Sequence, residues 1–163
     1  MSDLTGVSSA AELLRGAGRV VVVPGYGLAV TRAQHPLHEL VTMLRGRGVD
    51  VGYCVHPVAG RVPGHLDAVL DTAGVPDDLR LTVPEVGATD VLLVVGASDV
   101  VNPDAGLAVV DTAAARRVVV LKRTTAPGYL GLDNPVLADP ATVLVLGELG
   151  ASVRGLLSRL IAT

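Results

Sequence analysis

Lys122 and Arg123 stand side by side after an apolar run and are followed by the hydroxyls of Thr124 and Thr125. An ammonium, a guanidinium and a hydroxyl together make a receptor for a dianionic phosphate, although a solvated charged pair at a strand end reads the same way. Ala126, Pro127, Gly128 and Tyr129 continue the stretch as a turn whose aromatic ring suits covering a base or a ribose. A second pattern, Gly25, Tyr26, Gly27, Leu28, Ala29 and Val30, leads from an apolar run into helical spacing. With no side chains at its glycines, such a turn lets backbone N–H groups approach a pyrophosphate at the positive end of a helix. Its third position is Val30 rather than Gly or Ala, and Gly-rich turns also arise from chain geometry alone. Arg61 lies among Val58, Ala59, Gly60, Val62 and Pro63, where a cation on a tightly held loop would neutralise a pyrophosphate. Asp99 follows Gly96, Ala97 and Ser98 and precedes Val100. It reads equally as a helix cap or turn residue and as a partly buried carboxyl with a shifted pKa.

The usual companion of a Gly-x-Gly turn is a carboxylate after the second strand, which binds a ribose diol and selects NAD. His56 and Pro57 occupy that place. The missing carboxylate and the cations at Lys122 and Arg123 point to a dinucleotide carrying a 2′-phosphate, NADP(H). Other chemistries are poorly served. His35 and His38 lie one helical turn apart, but no third ligand or Cys cluster completes a metal site. There is no Gly-x-Ser-x-Gly elbow and no lysine placed as in a Walker turn. The single cysteine, Cys54, excludes an internal disulfide and reads as a buried thiol.

These residues need elements to carry them. Arg19–Pro24, Val49–His56, Asp90–Ala97, Arg117–Lys122 and Thr142–Gly147 are short Val-rich runs bounded by Gly or Pro, read as strands buried on both faces. Helical spacing covers Ala29–Arg45, His65–Ala73 and Gly150–Ile161, with a leading helix around Ala10–Arg15. The alternation predicts an α/β fold, a Rossmann-like doubly wound parallel sheet of about six strands with helices on both faces. All 163 residues are expected to form one domain, residues 1–18 being a leading helix and turn. Ligands of such sheets bind at the carboxyl ends of the strands, and the unusual residues fall there. Half the residues are apolar and the net charge is −3 with the cations dispersed, so neither nucleic acid nor direct membrane insertion is expected. No apolar run approaches the span of about 20 residues a membrane helix requires, and the start lacks a secretory pattern, which predicts a cytoplasmic location.

Over nearly its whole length the sequence resembles the NADP(H)-binding domain III of proton-translocating NAD(P) transhydrogenase. The resemblance is carried by 23–30, by Ala33-Gln34-His35, by His56-Pro57-Val58-Ala59-Gly60-Arg61-Val62-Pro63-Gly64, by Gly96–Val100, by Lys122-Arg123 and by Gly128-Tyr129. It implies that Tyr26 and its turn line the cofactor, that Val58–Pro63 wrap the pyrophosphate and that Gly96–Val100 approach the nicotinamide half. Gly106 and Leu107 match a further contact, Lys122, Arg123 and Thr124 the 2′-phosphate receptor, Tyr129 a lid, and Glu148 and Leu149 a contact after the last strand. The implied reaction is hydride transfer, Si-Re in stereochemistry, from NADH on a separate NAD(H)-binding domain to NADP⁺ held here. It is coupled to proton movement through a membrane domain, at the cytoplasmic face of the inner membrane, with Asp99 assigned to the coupling. Two departures stand out: Asn102-Pro103-Asp104 runs almost directly into Gly106-Leu107, where the family has a longer segment, and Ser98 replaces a more usual Asn. The shortened segment leaves open an alternative, a stand-alone NADP(H)-binding or redox-sensing module without turnover.

Overall fold

The computed structural model describes residues 4–55, 65–81, 88–96, 115–123 and 140–162. Its elements are α1 (Leu4–Gly16), β1 (Arg19–Pro24), α2 (Tyr26–Thr31), α3 (Gln34–Gly46), β2 (Asp50–Cys54), α4 (His65–Thr72), a 3-10 turn (Asp77–Leu79), β3 (Arg80–Leu81), β4 (Thr89–Val95), β5 (Ala115–Lys122), β6 (Thr142–Leu146) and α5 (Leu149–Ile161). The six strands form one parallel sheet in the order β3-β2-β1-β4-β5-β6. Strand order reverses between β1 and β4, which creates the crevice expected of a doubly wound sheet.

Valine-rich strands suit this sheet because both faces are buried, so apolar residues run continuously instead of alternating with polar ones. In β1, Val20 and Val22 face one apolar layer, and Val21 and Val23 the other. The first layer receives Val7 and Leu14 of α1, Leu37, Leu40, Val41 and Leu44 of α3, and Val153, Leu156 and Leu160 of α5. The α3 residues recur at the i, i+3, i+4, i+7 spacing of one helical stripe. Leu66 of α4 joins the second layer, with Leu92, Val94, Val118 and Val120.

Two expectations are corrected. The helical spacing over Ala29–Arg45 is interrupted: α2 ends at Thr31, Arg32 takes a left-handed φ of 56°, and α3 starts at Gln34. The Thr31 hydroxyl turns back to the carbonyls of Gly27 (2.9 Å) and Leu28 (3.3 Å), and the Ala33 N–H also donates to the Leu28 carbonyl (3.4 Å). Pro36, in the first turn of the new helix, needs no N–H partner there. Apolar spacing continues across the break, so periodicity alone does not reveal it. The second correction is β3, a two-residue strand with no apolar run to announce it.

Candidate functional site

At the carboxyl ends of the strands, the turns after β1 and β4 meet backbone to backbone. The Gly25 N–H donates to the Val95 carbonyl (3.0 Å), the Gly27 N–H to the Gly96 carbonyl (3.2 Å), and the Leu28 N–H to the Gly25 carbonyl (3.0 Å). A Cβ on Gly27 would lie 3.1 Å from the Gly96 Cα and 3.4 Å from Leu149 Cδ1. Gly96 has φ +66°, and a Cβ there would sit 2.7 Å from the Leu28 nitrogen. Gly96 excludes a side chain and Gly27 leaves one only a tight fit, because the two strand-end turns occupy the same space. Gly27 and Gly96 provide close approach between the two turns, and the amides of Gly25, Gly27 and Leu28 have protein partners.

Two strands away, the end of β5 carries charge. Lys122 is half-buried and pairs in register with Leu146, and the Gly147 N–H donates to its carbonyl (3.0 Å). Its backbone is thus fixed by β6, and Arg123, the next residue, is exposed. Parallel strands lie about 4.8 Å apart, which puts the cations roughly 10 Å across the sheet from the β1 turn. That spacing suits one elongated anion reaching both.

Glu148 follows β6 and caps α5. Its carboxylate accepts the N–H groups of Gly150 and Ala151, both at 2.8 Å, and its carbonyl accepts that of Ser152 (3.0 Å). The two backbone donors, Gly150 first, hold the carboxyl below the usual carboxylate range, with a smaller contribution from Arg154. The Glu148 side chain thus closes its own helix. Leu149 is buried, with its Cδ1 toward Gly27.

A third cluster was not anticipated from sequence. Arg80 of β3 donates from Nη2 to Asp71 Oδ1 (2.6 Å) and the Val75 carbonyl (2.8 Å), and from Nη1 to Asp67 Oδ1 (3.2 Å). Its Nε lies 3.9 Å from Asp77 Oδ1. Beside it, in register, Tyr53 is fully buried and its hydroxyl lies 3.1 Å from His38 Nδ1. Burial first, then the Arg45 charge, lowers the His38 pKa from 6.5, which favours the neutral ring beside the tyrosine hydroxyl. Gln34 Nε2 donates to the Thr72 hydroxyl (3.2 Å), which itself donates to the Val69 carbonyl (2.6 Å). One sequence signal foreshadows the cluster: Asp67, Asp71, Asp77 and Asp78 precede a single cation, Arg80, with Asp67 and Asp71 one helical turn apart.

Gly25, Gly27, Leu28, Gly96, Lys122, Arg123, Glu148 and Leu149 are thus placed at strand ends, and Tyr26, Ala29 and Val30 within the backbone of α2. Val58, Ala59, Gly60, Arg61, Val62, Pro63, Ala97, Ser98, Asp99, Val100, Gly106, Leu107, Thr124, Thr125, Ala126, Pro127, Gly128 and Tyr129 lie outside the described residues. Among the described residues no group of His, Cys, Asp and Glu is arranged to hold a metal ion, and no helix is long and apolar enough to cross a membrane.

Comparison with known proteins agrees with this architecture. A family model described as NAD(P) transhydrogenase beta subunit matches residues 2–159. The NAD(P) transhydrogenase subunit beta of Rhodospirillum rubrum is 39% identical over 152 residues, covering 85% of this chain and 33% of the relative. The chain therefore spans about a third of that protein's length. A solved chain described under "Structural Basis for the Mechanism and Regulation of Sir2 Enzymes" superposes with a TM-score of 0.58 at 12% identity, covering 97% of this chain and 98% of its own. At that identity the likeness speaks for the Rossmann-type fold alone.

Proposed function

Because the chain belongs to the family of NAD(P) transhydrogenase beta subunits, we propose that its residues 1–163 form one NADP(H)-binding domain that presents the nicotinamide of NADP for hydride transfer. The observation that carries this reading is the pair Lys122 and Arg123, two adjacent cations at the end of β5 with the backbone of the first locked by β6. Their chemistry fits a 2′-phosphate: the guanidinium offers a planar fork of donors and the ammonium a compact charge. Bound NADP supplies the carbon that takes or gives the hydride. The chain's own contribution is position. The Gly27–Gly96 contact fixes how near the turns after β1 and β4 stand, and the cations anchor the adenosine end. Hydride exchange between two nicotinamides requires alignment more than acid–base help, so positioning is the main demand on the chain.

In this reading the segments around Val58–Pro63, Gly96–Val100, Gly106-Leu107, Thr124–Tyr129 and Glu148-Leu149 complete the cofactor site, and Asp99 links protonation to cofactor affinity. The NADH donor sits on a partner NAD(H)-binding domain, and a membrane domain couples the exchange to proton movement, with this chain on the cytoplasmic face. Fluorescence titration tests the core of the proposal. With no Trp in the chain, reduced-nicotinamide emission is read against little background. NADPH is expected to bind at least about tenfold more tightly than NADH, since each charge-assisted hydrogen bond to the extra phosphate is worth about 1.5–3 kcal/mol. Arg123→Met should remove most of that preference while leaving NADH affinity as it was. Equal affinity for the two nucleotides in the unaltered chain would sink the proposal. Hydride exchange on adding an NAD(H)-binding domain, and its absence, separate a transhydrogenase component from a stand-alone binding module.

A further inference from the structure

We infer that the end of the molecule opposite the strand-end crevice, where α1, α3 and α5 finish, is a docking surface for the anionic headgroups of a lipid bilayer. The cations are dispersed along the chain, but the topology gathers several of them. α1 ends at Gly16 just ahead of β1, and α3 at Gly46 just ahead of β2, so both helices finish where the strands begin. α5 finishes beside them: Arg15 Nη2 donates to the Arg159 carbonyl (3.5 Å), and Arg47 Nη2 to the Leu160 carbonyl. Those two guanidiniums answer carbonyls that a helix end leaves open, and their placement requires no ligand. Arg45 and Arg159 differ. Both are exposed, and among the described residues neither guanidinium makes a hydrogen bond or an ion pair. Ile161, the one exposed large apolar side chain among the described residues, stands at 63% exposure in the same place, directly after the Leu160 carbonyl that Arg47 holds. The described acids of this end are partly taken up: Asp50 pairs with Arg19 (3.7 Å), and Asp90 accepts the N–H groups of Gly18 and Arg19, while Glu12 lies one turn back along α1. Asp67, Asp71 and Asp77 gather around Arg80 at the β3 edge instead. The net charge of −3 does not forbid an anionic partner here, because charge beyond about 8 Å is largely screened at physiological salt and the two ends of β1, Arg19 and Pro24, are roughly 17 Å apart. Arginines around a single apolar side chain suit a bilayer interface, where guanidiniums meet lipid phosphates and the isoleucine enters the acyl boundary. Against a nucleic-acid backbone the guanidiniums would serve as well, but Ile161 would have no part.

Docked in this way, the chain turns its strand-end crevice toward water, and the inference stands independently of what that crevice binds. Vesicle sedimentation with the full chain tests it. Vesicles of phosphatidylcholine mixed with phosphatidylglycerol are expected to carry the chain down, phosphatidylcholine alone is not, and added salt should release it. Arg45→Gln and Arg159→Gln should each weaken binding to the mixed vesicles about fivefold, the equivalent of about 1 kcal/mol per basic residue at an anionic surface. Ile161→Ser, which removes apolar contact and no charge, should weaken it about threefold. All three side chains are exposed, so the core is left as it was, and thermal melts establish that each variant is folded at the assay temperature. Duplex DNA, measured in parallel, is expected to bind more weakly than the mixed vesicles and to be indifferent to Ile161→Ser. The same binding to both kinds of vesicle, none included, overturns the inference. So does vesicle binding that ignores Ile161→Ser. Tighter binding to DNA than to the mixed vesicles overturns it as well and makes this end a nucleic-acid surface.

Discussion

The centre of the sheet and its β2–β3 edge are held together by opposite means. At the centre, β1 and β4 end in turns that touch through Gly27 and Gly96, with a backbone hydrogen bond where side chains would have stood. At the edge, the two-residue pairing of β3 with β2 is supplemented by side chains around it: the Arg80 fork on α4, the His38–Tyr53 bond from α3 to β2, and the Gln34–Thr72 bond from α3 to α4. A junction made by omission tolerates no added atom. A junction made by long polar groups weakens by degrees and responds to protonation. The centre is therefore fixed, and the edge is where the molecule can be tuned.

The sharpest way to break this contrast is Gly96→Ala. The new methyl meets the Leu28 nitrogen at 2.7 Å, and alanine must hold φ +66°. Left-handed backbone costs about 1–2 kcal/mol and overpacking about 1–3 kcal/mol, so a loss of roughly 2–5 kcal/mol is expected, read as a fall in Tm of about 10 °C. An unchanged melt would show that the centre yields as readily as the edge. Next comes His38. Its folded pKa lies below 6.5, so the unfolded chain takes up the proton first. The stability it contributes is complete above pH 6.5 and declines as pH falls through that value toward the folded one. Urea midpoints measured from pH 7.5 to 5.5 should drop, and His38→Gln should flatten that part of the slope; an identical slope in the variant would detach the edge from protonation. The smallest effect belongs to Glu148→Gln. A neutral amide still caps α5, so about 0.5–1 kcal/mol is expected at neutral pH. The native carboxylate's contribution is present above about pH 4.5 and lost as pH falls through its lowered folded value. The gap between the urea midpoints of the variant and the original should narrow as pH falls below 4.5.

The sequence made the centre legible and left the edge obscure. Continuous valine runs identify five of the six strands, because only a sheet covered on both faces buries every residue of such a run. Lys122 and Arg123 fall at the end of β5, and Glu148 and Leu149 after β6, where their order in the chain placed them. The purpose of the glycines was less readable. Gly25 and Gly27 announce a turn, but only the φ of Gly96, seventy residues on, reveals that the turn packs against a second one. β3 escaped because two residues carry no periodicity and because its stability comes from Asp67, Asp71 and Val75 elsewhere in the chain. The break at Arg32 escaped because Thr31 ends α2 through a side-chain bond, while the apolar stripe continues into α3 unaltered.

The strand order also sets a timetable. β1 pairs with β4, Val20 beside Val91, and Asp90 Oδ2 accepts the N–H groups of Gly18 (2.8 Å) and Arg19 (2.9 Å) just ahead of β1. Arg19 and Asp90 are 71 positions apart. A ribosome adding about 5–20 residues per second takes roughly 4–14 s to cross that distance. Throughout that delay the four consecutive valines of β1 have emerged without the second of their two neighbours, so synthesis, more than the finished molecule, is when this chain needs shelter.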